Sequence, residues 1–413
     1  MRILLVNQFF WPDSAATSQL LTDVARELSS SGHNVYVACG SSGYADAGDG
    51  GRPDVHIWRS PTFPFSRGKA GRLLSYFSFF VTAAVRGVFS SKFDLVVTLT
   101  TPPLLSVLGT VIKYLRGSRH FIWEMDVYPD VAVDVGMWNA GSRLTRLVGQ
   151  IADGSRLQAD GLIVLGPCMR DRLLKRGMPD DKLHIAENWA DGSAIEPLPL
   201  RTQNALGVVY SGNLGLAHDV ETIYDAIMRL KNDNRFQFVF AGGGASREGL
   251  EERCRAEHIT NVDFRDYCAR EDLGRSIGQS DIGLVTQREA CEGSVVPSKV
   301  YGLLAAGRPL LYIGPKTSTP ARIIAEHRCG WQVDVGDSNA VSQLLEFLHS
   351  DPALVRDAGQ RARQAFLKHY DRPVGVNRIC TIIGAMQPAM VTPAVLAQEH
   401  QSVRESTSRA YST

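Results

Sequence analysis

Short apolar runs alternate with stretches of helical hydrophobic spacing along almost the whole chain. That alternation predicts parallel sheets with helices on both faces. In the first half the pattern places strands near 2–6, 34–38, 94–98, 119–123 and 161–165. Helices fall near 14–30, 68–89, 103–115, 142–158 and 167–175. A second series starts at Gly207, with strands near 207–211, 236–241, 261–264, 281–285, 309–313 and 331–335. Its helices fall near 219–231, 246–257, 270–278, 298–306, 319–326 and 338–349. The expected architecture is α/β: two doubly wound, Rossmann-like domains, residues 1–192 and 207–370, facing across a cleft and joined by a linker at 193–206 that contains Pro197 and Pro199. Helical patterns at 352–369 and 374–386 close the fold, with 371–386 as a closing helix. Residues 387–413 turn polar after Leu396 and read as a disordered tail.

Ligands of such sheets sit beyond the carboxyl ends of the strands, so the loops there carry the chemistry. The first, NQFFWPDSAATS from Asn7, has no GxGxxG, which argues against a nicotinamide or flavin enzyme. Asp13 and Ser14 are expected to cap the next helix, and Phe9, Phe10 and Trp11 to project where a ligand could stack. The loop from Glu124 gathers Glu124, Asp126, Asp130 and Asp134. Loop carboxylates are ordinarily solvated; Asp126, nearest the strand end, is the one expected to face the cleft.

The densest stretch is CEGSVVPSKVYGLLAAGRP, Cys291 to Pro309. Ser298 reads as a helix N-cap, Val300, Leu303 and Leu304 keep helical spacing, Gly307 suits the position after the helix, and Pro309 stops it. Lys299 then lies in the first turn, where the helix dipole disfavours a cation by ~0.3–1 kcal/mol. An anion between them reverses the sign, as phosphate sites at helix starts do. Glu292, just upstream, can accept hydrogen bonds from sugar hydroxyls; the plainer alternative is a solvated Lys and Glu on a loop. YSGNLGLAHD, Tyr210 to Asp219, is a glycine-containing turn whose backbone can approach a phosphate. AGGGASREGLEE from Ala241 lacks the Gly-Lys-Ser/Thr of a P-loop and reads as a turn before a helix.

Composition narrows the classes. A chain of 413 residues exceeds one ordinary core, and 44 basic against 43 acidic residues, a net charge of +1, leave no nucleic-acid footprint. Seven scattered cysteines without a CxxC pair point to reduced thiols and no zinc site. With a strand beginning at Arg2, there is no room for a signal peptide, and a cytoplasmic location is expected. The aromatic run from Leu73 to Val88 is interrupted by Arg86 and falls short of the ~18 clean apolar residues of a spanning helix. With Arg67, Lys69, Arg72, Arg86 and Lys92, and with Phe63, Phe65, Tyr76, Phe77, Phe79 and Phe80, it suits a helix on an anionic membrane surface; the alternative is a buried helix with basic ends.

YSGNLG, VDFRDY (Val262 to Tyr267), the acidic residue of CEGSVVPSK, and AAGRP together resemble glycosyltransferase family 4 of the GT-B fold, in its bacterial polysaccharide and O-antigen members. The resemblance runs to about residue 386. It implies retaining transfer of a sugar from a nucleotide-sugar donor held by the second domain to a glycan or polyprenyl-diphosphate-linked acceptor held by the first, without cofactor or metal; no DxD motif is present. Glu292 matches the first glutamate of the family's pair, and Gly212, Asn213 and Gly215 lie in the turn beneath the diphosphate. The second glutamate falls on Val300, and the family's cationic pair falls on Asn213 and His218. Lys299, helped by His218 if protonated and following Ser298, is the expected replacement cation. Met125 replaces the His of the family's His-Asp pair at Asp126. Alternatives on the same fold are a nucleotide-sugar epimerase and a non-catalytic nucleotide-binding member.

Overall fold

A computed structural model of the protein describes residues 1–13, 15–41, 51–61, 63, 69–199, 205–268 and 272–385. The first half contains β1 (Arg2–Val6), α1 (Ala16–Ser30), β2 (Asn34–Gly40), β3 (His56–Ser60), α2 (Lys69–Phe89), β4 (Leu95–Thr98), α3 (Leu105–Arg116) and β5 (Arg119–Glu124). It continues with α4 (Asp130–Asp134), α5 (Arg143–Gln158), β6 (Gly161–Val164), α6 (Pro167–Lys175) and β7 (Leu183–Ile185). The second half contains β8 (Leu206–Ser211), α7 (Glu221–Arg229), β9 (Phe236–Ala241), α8 (Arg247–Ala256), β10 (Val262–Arg265), α9 (Leu273–Gly278), β11 (Ile282–Thr286) and α10 (Lys299–Ala305). It ends with β12 (Leu310–Ile313), α11 (Thr319–His327), β13 (Gly330–Val333), α12 (Ser338–Ser350), α13 (Pro352–Ala365) and α14 (Arg372–Ile382).

Two parallel sheets result, in the orders β3-β2-β1-β4-β5-β6-β7 and β10-β9-β8-β11-β12-β13. The continuous apolar runs have a direct cause. Successive side chains of a strand point to opposite faces, and here both faces are covered. Ile3 and Leu5 enter the core shared with α1, whereas Leu4 and Val6 enter the core under α2 and α3. β8 divides likewise, Val208 and Tyr210 to one side and Val209 to the other. The edge strands β3 and β7 escape the apolar pattern because HIWRS is largely part-exposed and LHI is only three residues long.

The chain crosses between the halves twice. Near residue 190 it leaves the first half, and after a π-helical turn at Phe366–Tyr370 it returns as α14. Val376, Ile379 and Cys380 of α14 belong to the first half's core. The crossings lie side by side: the Ala190 amide donates to the Tyr370 carbonyl at 3.2 Å, and Arg372 pairs with Asp191 at 2.6 Å. The stretch 193–199 of the expected linker is not a bare tether, since Ile195 is buried in the second half's core and Arg308 donates to the Leu198 carbonyl at 2.5 Å.

Several local expectations are corrected. Phe9 and Phe10 are buried, Phe10 within the main core, and do not offer a stacking surface. Asp13 does not occupy the N-cap position of α1, which falls on Ala15; its carboxylate accepts from the Ala15 amide at 2.8 Å. Phe79 of α2 is fully buried and packs into the core with Val96 and Leu108. Ser14, Phe65, Arg67 and the tail 387–413 lie outside the described residues.

Candidate active site

The strand order of the second sheet reverses between β8 and β11, the place where a parallel sheet opens a crevice at its carboxyl edge. The turn after β8 and the connection from β11 to α10 face each other there. Gly212 turns at φ +120°, and Gly242, at φ +122°, packs so close that a Cβ on it would stand 2.3 Å from the Gly212 carbonyl. The AGGG segment is therefore the buttress of the phosphate-like turn as well as a turn of its own. The amides of Gly212 and Leu214 donate to the Ala241 and Gly243 carbonyls at 2.8 and 2.7 Å, so these two are spent on the scaffold.

Lys299 reaches over this turn. Its Nζ donates to the Asn213 carbonyl at 3.1 Å and to His218 Nε2 at 3.2 Å, and it stands 4.7 Å from the centre of the Tyr210 ring. An ammonium has three N–H groups, so one is left for a ligand. Burial lowers its pKa from 10.5 to about 7. His218 Nδ1 lies 2.7 Å from the Thr286 carbonyl, which can only accept; Nδ1 therefore carries the proton and Nε2 receives from Lys299. Burial and the Lys299 charge hold the His218 pKa down at about 3. His218 is thus neutral and positions Lys299, which corrects the expectation of a second, protonated cation. Arg288, which the sequence reading passed over, is a further cation beside this turn. It is exposed at the end of β11, its amide donating to the Ala217 carbonyl at 2.9 Å and its Nη1 to the Leu216 carbonyl at 3.3 Å. Only its position just beyond an apolar strand could have flagged it.

Ser298 occupies the N-cap position but makes no side-chain cap and is exposed. α10 spans only seven residues, so the placement of Lys299 owes more to Asn213 and His218 than to a helix dipole. Val300 is 1 % exposed and faces the core. The position assigned to a second glutamate thus points away from the turn.

Glu292 sits in a loop braced from within and from the other half. Gln287 Nε2 donates to the Cys291 and Val295 carbonyls at 2.9 and 3.1 Å, and the Tyr312 hydroxyl donates to Gln287 Oε1 at 2.9 Å. Gly293 has φ +75°, and a Cβ there would stand 2.4 Å from the Cys168 carbonyl on α6, so only glycine lets the halves meet at this point. Arg172 of α6 donates to the Glu292 carbonyl at 2.7 Å while pairing with Asp130 and Asp134, both at 2.8 Å. The Glu292 carboxylate accepts from the Thr317 hydroxyl at 2.6 Å.

Asp126 comes to the same loop from the first half. It bridges to Val295, which also bridges to Glu292, and the Val127 amide donates to the Ser294 carbonyl at 2.8 Å. Burial, with neighbouring Glu124, raises the Asp126 pKa to about 6. Asp126 lines a small cleft with Thr100, Leu104, Ser106 and Tyr128. Leu104 there takes φ +67°, a strained conformation for a leucine. The other loop carboxylates are not solvated as expected: Glu124 is buried against Arg156 at 2.7 Å, and Asp130 and Asp134 hold Arg172. The structure therefore makes two groups, Gly212–Asn213–His218–Lys299 with Gly215 in the same turn, and Glu292–Asp126 with Thr317. The β11–α10 connection carries Glu292, and the first residue of α10 is Lys299.

Comparisons with known proteins agree with this arrangement. Residues 17–189 match the model of a glycosyl transferase 4-like domain, and residues 200–365 match that of glycosyl transferases group 1. The chain is 26% identical over 299 residues to WbjE of Pseudomonas aeruginosa, named as a probable glycosyltransferase, covering 69% of this chain and 74% of that protein. It is 22% identical over 341 residues to WcaI of Escherichia coli (strain K12), provisionally named a colanic acid biosynthesis glycosyl transferase, covering 74% and 82%. Among solved structures, sucrose-phosphate synthase of Thermosynechococcus elongatus superposes with a TM-score of 0.74 at 14% identity, covering 92% of this chain and 98% of that one. Anabaena HepE in complex with UDP and glucose gives 0.70 at 14%, covering 94% and 100%. WaaG, a glycosyltransferase involved in lipopolysaccharide biosynthesis, gives 0.68 at 15%, covering 92% and 100%. With both halves matched in order by glycosyltransferase domains and the whole superposing on such enzymes, the chain is a glycosyltransferase of the GT-B fold.

Proposed function

We propose that this enzyme moves a sugar from a UDP-sugar, with retention at the anomeric carbon, to a glycan or polyprenyl-diphosphate-linked acceptor in cell-surface polysaccharide biosynthesis. The observation that carries the reading is the Lys299 ammonium, held by Asn213 and a neutral His218 above the Gly212 turn with one N–H free. UDP as donor nucleotide is supported by HepE, solved with UDP and with UDP-glucose, and the polysaccharide setting by the names of WcaI and WaaG. The diphosphate lies on the turn between Lys299 and Arg288, and Glu292 holds hydroxyls of the donor sugar. As the bond from C1 to the diphosphate oxygen breaks, negative charge grows beside a fixed ammonium, the condition under which an electrostatic donor accelerates a reaction. The acceptor oxygen bonds to C1, and its proton passes to the Asp126 carboxylate. Because Lys299 and Arg288 neutralise the leaving group, this reading requires no metal, and chelation should leave the rate unchanged.

The test is a donor screen followed by turnover. UDP should raise the melting temperature by mass action, and a UDP-sugar should release UDP only when acceptor is supplied, the product keeping the donor's anomeric configuration by NMR. UDP release or sugar interconversion without acceptor would establish the epimerase instead. No thermal shift with any nucleotide would overturn the donor assignment.

A further inference from the structure

Three neighbouring helices on one face of the first sheet present a broad apolar surface that no other described residue covers. On α2, Leu74, Phe77, Val81, Val85 and Phe89 are exposed, Phe77 by 69 % and Phe89 by 83 %. Spacings of three and four residues place them in one stripe, while Phe79 and Ala83, on the opposite side, pack into the core with Val96 and Leu108. α3 packs beside α2, and α5 beside α3. To the same layer α3 adds exposed Val111, Tyr114 and Leu115, and α5 adds Leu144, Leu147 and Ile151. Helices at a domain surface ordinarily turn charged side chains outward; contiguous apolar side chains mark a surface that something covers.

Charge identifies the cover. In sequence, α2, α3 and α5 together hold a single acidic residue, Asp153, which is engaged by Arg156 and Arg176. Arg86, Arg116, Arg143 and Arg146 are exposed, and Arg86 and Arg116 donate to backbone carbonyls of Arg59 and Ser90 rather than to carboxylates. The whole chain is balanced at 44 basic and 43 acidic residues, so this is local segregation of sign. No helix among the described residues is long and apolar enough to cross a membrane. A second copy docked on this face would set arginines against arginines, which opposes association. A bilayer with anionic headgroups instead takes apolar side chains into its acyl boundary and guanidinium groups onto its phosphates.

We infer that the α2–α3–α5 face rests on an anionic lipid bilayer. Strands of a parallel sheet run one way and its helices return, so the first turns of α2 and α5 lie at the edge where Asp126 follows β5. α3 and α5 also wall the cleft beside Asp126 through Leu105, Ser106, Ala152 and Arg156. Docking thus brings the Asp126 edge of the first sheet toward the headgroups. That the bilayer also delivers a lipid-linked acceptor rests on the transferase reading; the docking itself does not.

The experiment needs neither nucleotide nor acceptor. The full chain is sedimented with phosphatidylglycerol vesicles and, separately, with pure phosphatidylcholine vesicles. It should bind the former far better, and less so as salt is raised. Arg143→Glu with Arg146→Glu should weaken binding about 25-fold, at about fivefold per basic residue. Phe77→Glu with Val81→Glu should weaken it at least about tenfold through lost insertion. All four positions are exposed, so the melting temperature and the UDP-induced thermal shift should persist in both variants. Absence of binding to either vesicle, or equal binding by wild type and both variants, overturns the inference. So does a dimer in solution that Phe77→Glu with Val81→Glu converts to monomer, since that assigns the face to a second copy.

Discussion

Above pH 7 the free enzyme should have to take up a proton to bind UDP. The Lys299 pKa is lowered from 10.5 to about 7 because its head group is buried among Asn213, His218 and Tyr210 without an anion. That shift corresponds to roughly 5 kcal/mol between the charged and neutral forms, and a diphosphate arriving at the same place restores the charged form. At pH 8 about one-tenth of the free enzyme carries the ammonium, so binding should consume about 0.9 proton. Because only the protonated fraction is competent, Kd should weaken about 16-fold between pH 7 and pH 8.5. The terminal phosphate of UDP, with a second pKa of ~6, is already ionised across this window. Calorimetry at pH 8 in HEPES and in Tris, two buffers of different ionisation enthalpy and neither a phosphate, reads the proton from the difference in binding heat. Lys299→Met should abolish both the uptake and the pH dependence and lower kcat about 100- to 1000-fold.

The stability consequence has a definite sign: a cation whose folded pKa is depressed leaves the unfolded chain binding more protons between pH 7 and 10.5. Stability should therefore rise with pH there in the wild type, and not through this group in Lys299→Met. Equal binding heats in the two buffers with a flat Kd would refute the phosphate assignment. Proton uptake that survives in Lys299→Met would transfer the titration to His218 and refute it as well.

Glu292→Gln should keep the melting temperature, since its carboxylate bonds only the Thr317 hydroxyl among the described residues, but lose most turnover with little change in UDP affinity by calorimetry. Gly293→Ala should cost about 1–2 kcal/mol from its φ of +75° alone, and pushing the loop off Cys168 should lower kcat more than UDP binding, read by steady-state kinetics and calorimetry. Asp126 should give kcat/KM an ascending limb near pH 6, its raised pKa favouring the protonated, inactive form below that value; Asp126→Asn should remove the limb along with most of the rate. Arg172→Met should destabilise by about 3 kcal/mol in urea unfolding, because Asp134 loses its ion-pair partner at 12% side-chain exposure.

The inner strands of both sheets were legible because they are buried on two faces, and burial on two faces writes an unbroken apolar run into the sequence. β8, β11 and the turn at Gly212 were placed from such runs, and Lys299 was placed by the helix signals around it. Strands with one wet face, β3 and β7, left no such run. Polar side chains carry no periodicity that names their partner. Arg172 and the Glu292 carbonyl it holds are 120 residues apart, and Lys299 and His218 are 81 apart. Only folding shows that His218 is neutral, since its pKa depends on the Thr286 carbonyl, the Lys299 charge and burial meeting at one point. The same holds for the return of α14 to the first half and for the apolar face of α2, α3 and α5. Helical periodicity predicted that α2 has two sides; which one is buried was settled by Phe79 and Ala83 meeting the core while Phe77 and Val81 stay 69 % and 42 % exposed. Local patterns thus determined the elements, and the long-range meeting of their ends decided the charges, the partners and the surfaces left open.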